Sequence, residues 1–273
     1  MLKHYEGELG VFDYDDRYWY LNTANIKQDY LIYVGPVVNG KIIDEIPKGI
    51  VDCSFTFDQI EDLEEAPEIP DGVKICYYMF RGCRKLKKPP VIPEGVVDCF
   101  CMFDLCKKLE YAPKIPTSVK DCRFMFSSCT KLKQAPVIPK GVTSCSNMFY
   151  SCNSLVLPPK IPDSVKDCTC MFEFCKSLRR APEIPESVTT CIGMFKGCTR
   201  LEQAPEIPES VKNCECMFFD CRKLKQAPKI PTKVENCSWM FKDCINLEQT
   251  QPIPDGVEDY EGIFDGCNFS TGN

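Results

Sequence analysis

One 23-residue pattern of hydrophobic and polar positions dominates the chain. Val73, Val96, Val119 and Val142 open a row that continues to Val257, and Leu63 and Leu86 open one that ends at Leu247. Met79 to Met240 and Phe80 to Phe264 run side by side at the same step, while the residues between these rows are polar and change from copy to copy. An Ile-Pro dipeptide keeps the step without a slip, placing proline at Pro47, Pro70, Pro93, Pro116, Pro139, Pro162, Pro185, Pro208, Pro231 and Pro254. The unit is C-x-x-L-x-x-A-P-x-I-P-x-x-V-x-x-C-x-x-M-F-x-x, and a period of this length marks a repeat architecture.

Each stretch of the unit predicts a local conformation. A-P-x-I-P is extended, because proline lacks the N–H and pushes its predecessor out of the helical region. The Pro-x-Gly or Pro-x-Ser that follows, as in Pro70-Asp71-Gly72 and Pro162-Asp163-Ser164, is a turn. V-x-x-C begins a second extended side, and M-F-x-x-C-x-x-L has helix-like spacing long enough for one turn. A unit this short offers roughly five large apolar side chains, each contributing about 1.5–3 kcal/mol on burial. Ordering its backbone costs on the order of 1–2 kcal/mol per residue, so one copy cannot fold alone. Stacking gives every copy two neighbours to bury against. The pattern therefore predicts a mainly β, single-domain solenoid of ten 23-residue coils at residues 41–273, with a parallel sheet and short one-turn helices.

The ends of the stack change character. Residues 1–40 lack the repeat; Val11–Tyr14, Tyr18–Leu21 and Leu31–Val34 are expected as strands, with Asp15-Asp16-Arg17 as a turn and a stop at Gly35-Pro36. A small N-terminal β cap over the first coil is the expectation. In the tenth copy Tyr260 and Ile263 replace Cys and Met, which makes that coil degenerate.

Composition narrows the function classes. With 33 Lys+Arg, 39 Asp+Glu and 44% hydrophobic residues, the 273-residue chain has the balance of a folded protein and a net charge of −6. No apolar run is long enough for a membrane span and no secretory leader is evident, so no membrane association and a cytoplasmic address are expected, with the cell surface by an unconventional route as the alternative. The 21 cysteines all fall in columns: Cys53 to Cys237, Cys83 to Cys267, and Cys101, Cys170 and Cys216. They admit three uses: small apolar core residues, a disulfide ladder, or metal ligands. The first needs no further assumption, since equivalent thiols have no unique pairing and no C-x-x-C pair occurs. The one histidine, His4, leaves no Cys-His or Ser-His chemistry in the repeats, and no phosphate-binding loop is present. No catalytic residue, cofactor or metal is expected.

The motif V-x-x-C-x-x-M-F-x-x-C-x-x-L followed by a proline-containing strand resembles the BspA-like, or Treponema pallidum-type, leucine-rich repeats, most closely their bacterial variants with V-x-x-M-x-x-M-F. The resemblance covers residues 41–273. It implies a curved parallel solenoid that binds other macromolecules and no catalytic residue. Many relatives are exported surface proteins.

Information about a partner must then sit in the positions that vary. The four sites flanking each repeat Leu are acidic in the first full copy (Glu61, Asp62, Glu64, Glu65), whereas in the next eight copies these 32 sites hold 15 basic and three acidic residues. Lys87, Lys88, Lys107, Lys108, Lys133, Arg179, Arg180 and Lys225 belong to this stripe, which Val156 and Leu157 interrupt with an apolar gap. A second set of candidates flanks Met-Phe: Tyr78, Phe124, Tyr150 and Trp239, residue types favoured as interface anchors but also common in cores. The site between Pro and Ile (Glu68, Val91, Lys114, Val137, Lys160) forms a third row. The expected function is a non-enzymatic scaffold for a protein partner, one with an acidic surface if the stripe is used, and a monomer. Nucleic acid is disfavoured by the pI near 5.1. The alternatives are an exported adhesin or wall protein, a cysteine-based redox or metal protein, and an inhibitor or decoy carried by a mobile element.

Overall fold

The structure, a computed structural model, describes Ile46 and residues 48–269, together with the backbone of six short strands before them: β1 (Lys3–Gly7), β2 (Gly10–Tyr14), β3 (Trp19–Leu21), β4 (Tyr33–Val34), β5 (Val37–Val38) and β6 (Lys41–Ile42). Strands β1 to β4 form an antiparallel sheet in sequence order, and β5 pairs with β6 across the boundary at residue 40 expected from sequence. The expected strands at 11–14 and 18–21 correspond to β2 and β3, which align Phe12 with Leu21 and Tyr14 with Trp19; β1 was not expected. Asp15 to Tyr18, Leu31, Ile32, Gly35, Pro36, Pro47 and residues 270–273 lie outside the described residues.

From Ile50 onward the chain winds as a repeat solenoid in which equivalent residues lie over one another. Nine stacked ring pairs run from Phe57 to Phe264; the centroids of Phe103 and Phe126, for example, are 5.6 Å apart with planes 5° from parallel. Val, Cys, Met, Phe and Leu at the repeated positions are almost wholly shielded from solvent. Offset rings contribute about 0.5–1.5 kcal/mol per pair beyond their burial, so the Phe row is a continuous spine.

The expected one-turn helices are not formed: among the described residues there is no helix. Two sets of backbone bonds alternate along C-x-x-M-F-x-x-C instead. The N–H groups of Met79, Arg81 and Cys83 donate to the carbonyls of Cys76, Tyr78 and Phe80 three residues back, closing successive turns. The N–H groups of Cys76, Tyr78, Phe80 and Gly82 donate to Asp98, Phe100, Met102 and Asp104 in the next coil. Freeing every second N–H for the neighbouring coil requires a left-handed backbone twice per coil. Tyr78 has φ 55° and Gly82 φ 73°, and their equivalents repeat this, from Phe55 and Gln59 to Gly262 and Gly266. A helix would have kept all these bonds within one coil, so the three-residue spacing is real but serves turns.

The expected parallel sheet takes the form of two rows of single-residue bridges. One links Asp52, Ile75, Asp98 and Asp121, resuming from Ser144 to Asp259; the other includes Glu65 with Lys88, and Tyr111 with Gln134 and Leu157. Apart from Ile75 the first row is polar for a reason: the side chain of Asp98, Asp121, Asp167, Asn213 or Asn236 accepts the N–H two residues later at 2.9 Å, fixing entry into the turns. The Pro-x-Gly and Pro-x-Ser turns form as expected, with Val73 N–H on the Pro70 carbonyl. Gly72 supplies a positive φ of 100°, whereas Ser118, Ser164, Ser187 and Ser210 donate their hydroxyls to the Val carbonyl of the preceding coil.

The cysteines are free thiols, 18 of them buried, with Cys170, Cys216 and Cys267 half-buried. The column from Cys83 to Cys267 does more than fill space. Each Sγ lies 3.1–3.2 Å from the Phe carbonyl of the previous coil and donates to it, Cys83 to Phe57 and Cys152 to Phe126. This bond needs the protonated thiol. Burial pushes Cys53, Cys83 and Cys168 from near 9 up to about 12.

The pH dependence of stability follows. Below pH 9 the folded and unfolded chains both hold these protons; between 9 and 12 the unfolded chain loses them and the folded chain does not. Stability therefore falls with rising pH in that window, by about 1.4 kcal/mol per unit for each buried thiol once the unfolded chain is ionised. Urea midpoints under reducing conditions should be level from pH 7 to 8 and drop steeply beyond pH 9; a midpoint unchanged at pH 10.5 contradicts the buried thiol columns.

Candidate partner-binding surface

Every coil exposes the same few positions, and their chemistry changes along the axis. The four acidic residues of the first coil meet the four basic residues of the second in register: Glu61 with Arg84 at 3.1 Å, Asp62 with Lys85 at 2.6 Å, Glu64 with Lys87 at 2.8 Å and Glu65 with Lys88 at 2.6 Å. The stripe expected from sequence therefore starts neutralised. Lys133 pairs with Glu110 at 2.6 Å, and Lys225 lies 4.0 Å from Glu248. The Glu64 and Glu110 carboxyls are held below the usual carboxylate range by hydrogen bonds from Lys87 and Lys133. Lys107, Lys108, Arg179 and Arg180 are exposed and make no ion pair among the described residues.

The gap in the stripe is a surface feature and not coil-to-coil packing. Val156 and Leu157 are 47% and 66% exposed, while the repeat Leu beside them, Leu155, is fully buried. Tyr111, bridged through Gln134 to Leu157, is 60% exposed, and Val91 and Val137 of the row between Pro and Ile are both 85% exposed. Four consecutive coils thus display apolar groups on the segment that runs from the repeat Leu to Ile-Pro, where other coils carry Lys, Arg, Glu or Gln. Tyr111 is not among the residues that sequence singles out. Its signal is there: one aromatic ring in a row that otherwise reads Glu65, Lys88, Gln134, Leu157, Arg180 and Gln203.

The aromatic candidates occupy another part of the coil. Tyr78, Phe124, Tyr150 and Trp239 are half-buried, at or beside the left-handed positions. Their rings engage groups within the chain. Tyr78 stacks on Phe55 at 5.2 Å with the Arg81 guanidinium 4.3 Å over its face, and Arg81 is also paired to Asp58 at 2.6 Å. Burial and a hydrogen bond to Cys101 push the Tyr78 phenol up. Tyr150 meets Phe174 edge-on at 5.7 Å, and Trp239 lies where a side chain at Gly262 would fall. Lys196 is held between Glu173, at 3.2 Å, and the rings of Phe174 and Phe219. These cations have partners; around Val156 and Leu157, Lys133 is paired with Glu110 while Arg179 and Arg180 make no ion pair among the described residues.

Beyond Arg180 the same segment becomes a groove of about 950 Å³ with Ala204, Pro205, Ala227 and Pro228 in its lining and Glu206, Glu209, Lys229 and Glu248 around it. Among the described residues no three or more His, Cys, Asp or Glu side chains are placed to hold a metal ion, and no helix is long and apolar enough to cross a membrane.

The four ion pairs at the first junction are solvent-exposed and screened, so they set surface charge more than stability. Replacing Glu64 and Glu65 by Gln should leave the melting temperature within error of the parent while extending the uncompensated basic stripe by Lys87 and Lys88. A fall of several degrees in calorimetry would show that these pairs fasten the first coil.

No curated protein and no solved structure matches the chain. Residues 53–179 and 159–271 match the family described as BspA type leucine rich repeat region (6 copies), over the coils whose stacking is described above. The chain therefore belongs to the BspA-type leucine-rich repeat family, and it is a repeat scaffold.

Proposed function

We propose that this scaffold is non-enzymatic and binds a protein partner through the variable positions of its coils, as a monomer and in a reducing, cytoplasmic setting. One observation carries the reading: apolar side chains at Val91, Tyr111, Val137, Val156 and Leu157 stand exposed on one segment of four successive coils, with uncompensated cations beside them. An apolar patch rimmed by charge is the usual anatomy of an interface centre. The reducing setting is supported by the cysteine column, whose bonds to the Phe carbonyls need protonated thiols. Export to a cell surface as an adhesin is the second reading, carried by the motif's resemblance to repeats of which many belong to exported surface proteins.

Affinity capture from the native host tests the role. The parent protein should retain a partner that elutes at high salt. Replacing Val156 and Leu157 by Lys should abolish capture without lowering the melting temperature, because both side chains are exposed. Capture that survives both substitutions and high salt removes this surface from consideration.

A further inference from the structure

The uncompensated cations and the apolar strip together define a ligand more narrowly than a generic protein surface. Some cations of the stripe are neutralised by a carboxylate of a neighbouring coil, as at Glu64–Lys87 and Glu110–Lys133, while others, Lys107, Lys108, Lys131 and Lys176 among them, are exposed and make no ion pair among the described residues. Arg179 and Arg180 belong to this second set and are its two arginines beside the apolar gap. Their equivalents in the preceding coil are Val156 and Leu157, and in the following coil Glu202 and Gln203. Among the described residues neither arginine is within ion-pair distance of a carboxylate, Glu202 included. Two arginines consecutive in sequence, each able to grip a carboxylate through two parallel N–H donors, therefore follow the exposed Val156 and Leu157 in the next coil.

We propose that the surface from Val91 through Tyr111, Val137 and Leu157 to Arg179 and Arg180 docks an extended acidic peptide segment, with apolar side chains on the strip and carboxylates on the two arginines. This deepens the scaffold role above and rests on it. The dimensions fit: from the coil of Val91 to that of Arg180 is four coil steps, about 22 Å at the 5.6 Å spacing of the Phe rings. Roughly seven residues of extended chain cover that length. A nucleic acid is a poorer occupant, since Val91, Val137 and Leu157 offer its backbone nothing and Glu110, Glu202 and Glu206 border the surface. The cations on the aromatic part of the coil do not compete, because Arg81, Arg123 and Lys196 are already paired with Asp58, Asp121 and Glu173.

Fluorescence anisotropy with defined probes tests the site on the full chain. The probes are a labelled octapeptide with leucines set among glutamates, the same peptide with lysine for glutamate, the same with serine for leucine, and an unlabelled single-stranded oligonucleotide as competitor. The glutamate-leucine peptide should bind saturably and the serine version should not. Arg179→Glu with Arg180→Glu should weaken the glutamate peptide at least about tenfold and gain binding to the lysine peptide, a rescue that a merely unfolded variant cannot show. Leu157→Ser should weaken the glutamate peptide without creating a preference for the lysine peptide. Undiminished binding of the glutamate peptide by the double variant, no saturable binding by the parent, or full displacement by the oligonucleotide each overturns the assignment. Where the double variant still captures the parent's partner from the host, the scaffold role stands and this site falls; where neither protein captures anything, the scaffold role itself falls.

Discussion

The structure depends on an axial hydrogen bond that every second residue of C-x-x-M-F-x-x-C sends to the next coil, Cys76 to Asp98, Tyr78 to Phe100, Phe80 to Met102 and Gly82 to Asp104. Those donors exist only because the chain turns left-handed at two of them, Tyr78 and Gly82. A left-handed residue with a side chain costs roughly 1–2 kcal/mol, so no coil would adopt this path in isolation. The neighbouring coil supplies the acceptors that offset it. Geometry and stacking are thus one constraint: the path makes sense only in a pile, and the pile forms only along this path.

That constraint divides the residues into two populations. Those pointing along or into the stack must repeat, because each contacts its own copy above and below. The Phe spine, the Val, Met and Leu rows and the thiol-to-carbonyl row are consequences of this. The remaining positions, chiefly those flanking Leu and those between Pro and Ile, are free of the axial rule. Their variation is not random: acid meets base in register at the first junction, and beyond it exposed apolar groups stand among cations of which some are paired and others, such as Lys107, Lys108, Arg179 and Arg180, are not.

Much of the solenoid was legible in the sequence because its core rows carry one residue type each. The Ile-Pro row gave the period, and the Pro-x-Gly and Pro-x-Ser turns followed from φ preference alone. The left-handed positions were not legible. Their first row reads Phe55, Tyr78, Cys101, Phe124, Asn147, Cys170, Gly193, Cys216, Trp239 and Gly262, where only glycine and asparagine hint at the backbone and bulky aromatics hide it. Hence M-F-x-x-C-x-x-L resembled a helical turn: its bonds do reach back three residues, but each turn is broken before the next begins. At the surface, the basic stripe was visible as composition, whereas the neutralisation of its first members became visible only once Glu61 and Arg84 were seen to be neighbours in space. Tyr111 was hidden among polar equivalents for the same reason, since exposure is not written in a residue's identity.

The register of the stack is open to direct measurement by internal deletion. Removing residues 142–164, one complete coil, should leave a protein that unfolds cooperatively and whose thiols react with a thiol reagent only after unfolding, because Leu132 and its coil then lie on equivalents of the residues they lost. Removing residues 142–152, about half a coil, should expose thiols in the native buffer and abolish the cooperative transition. Equal tolerance of both deletions, or equal loss in both, would contradict a stack held by residues superposed coil upon coil.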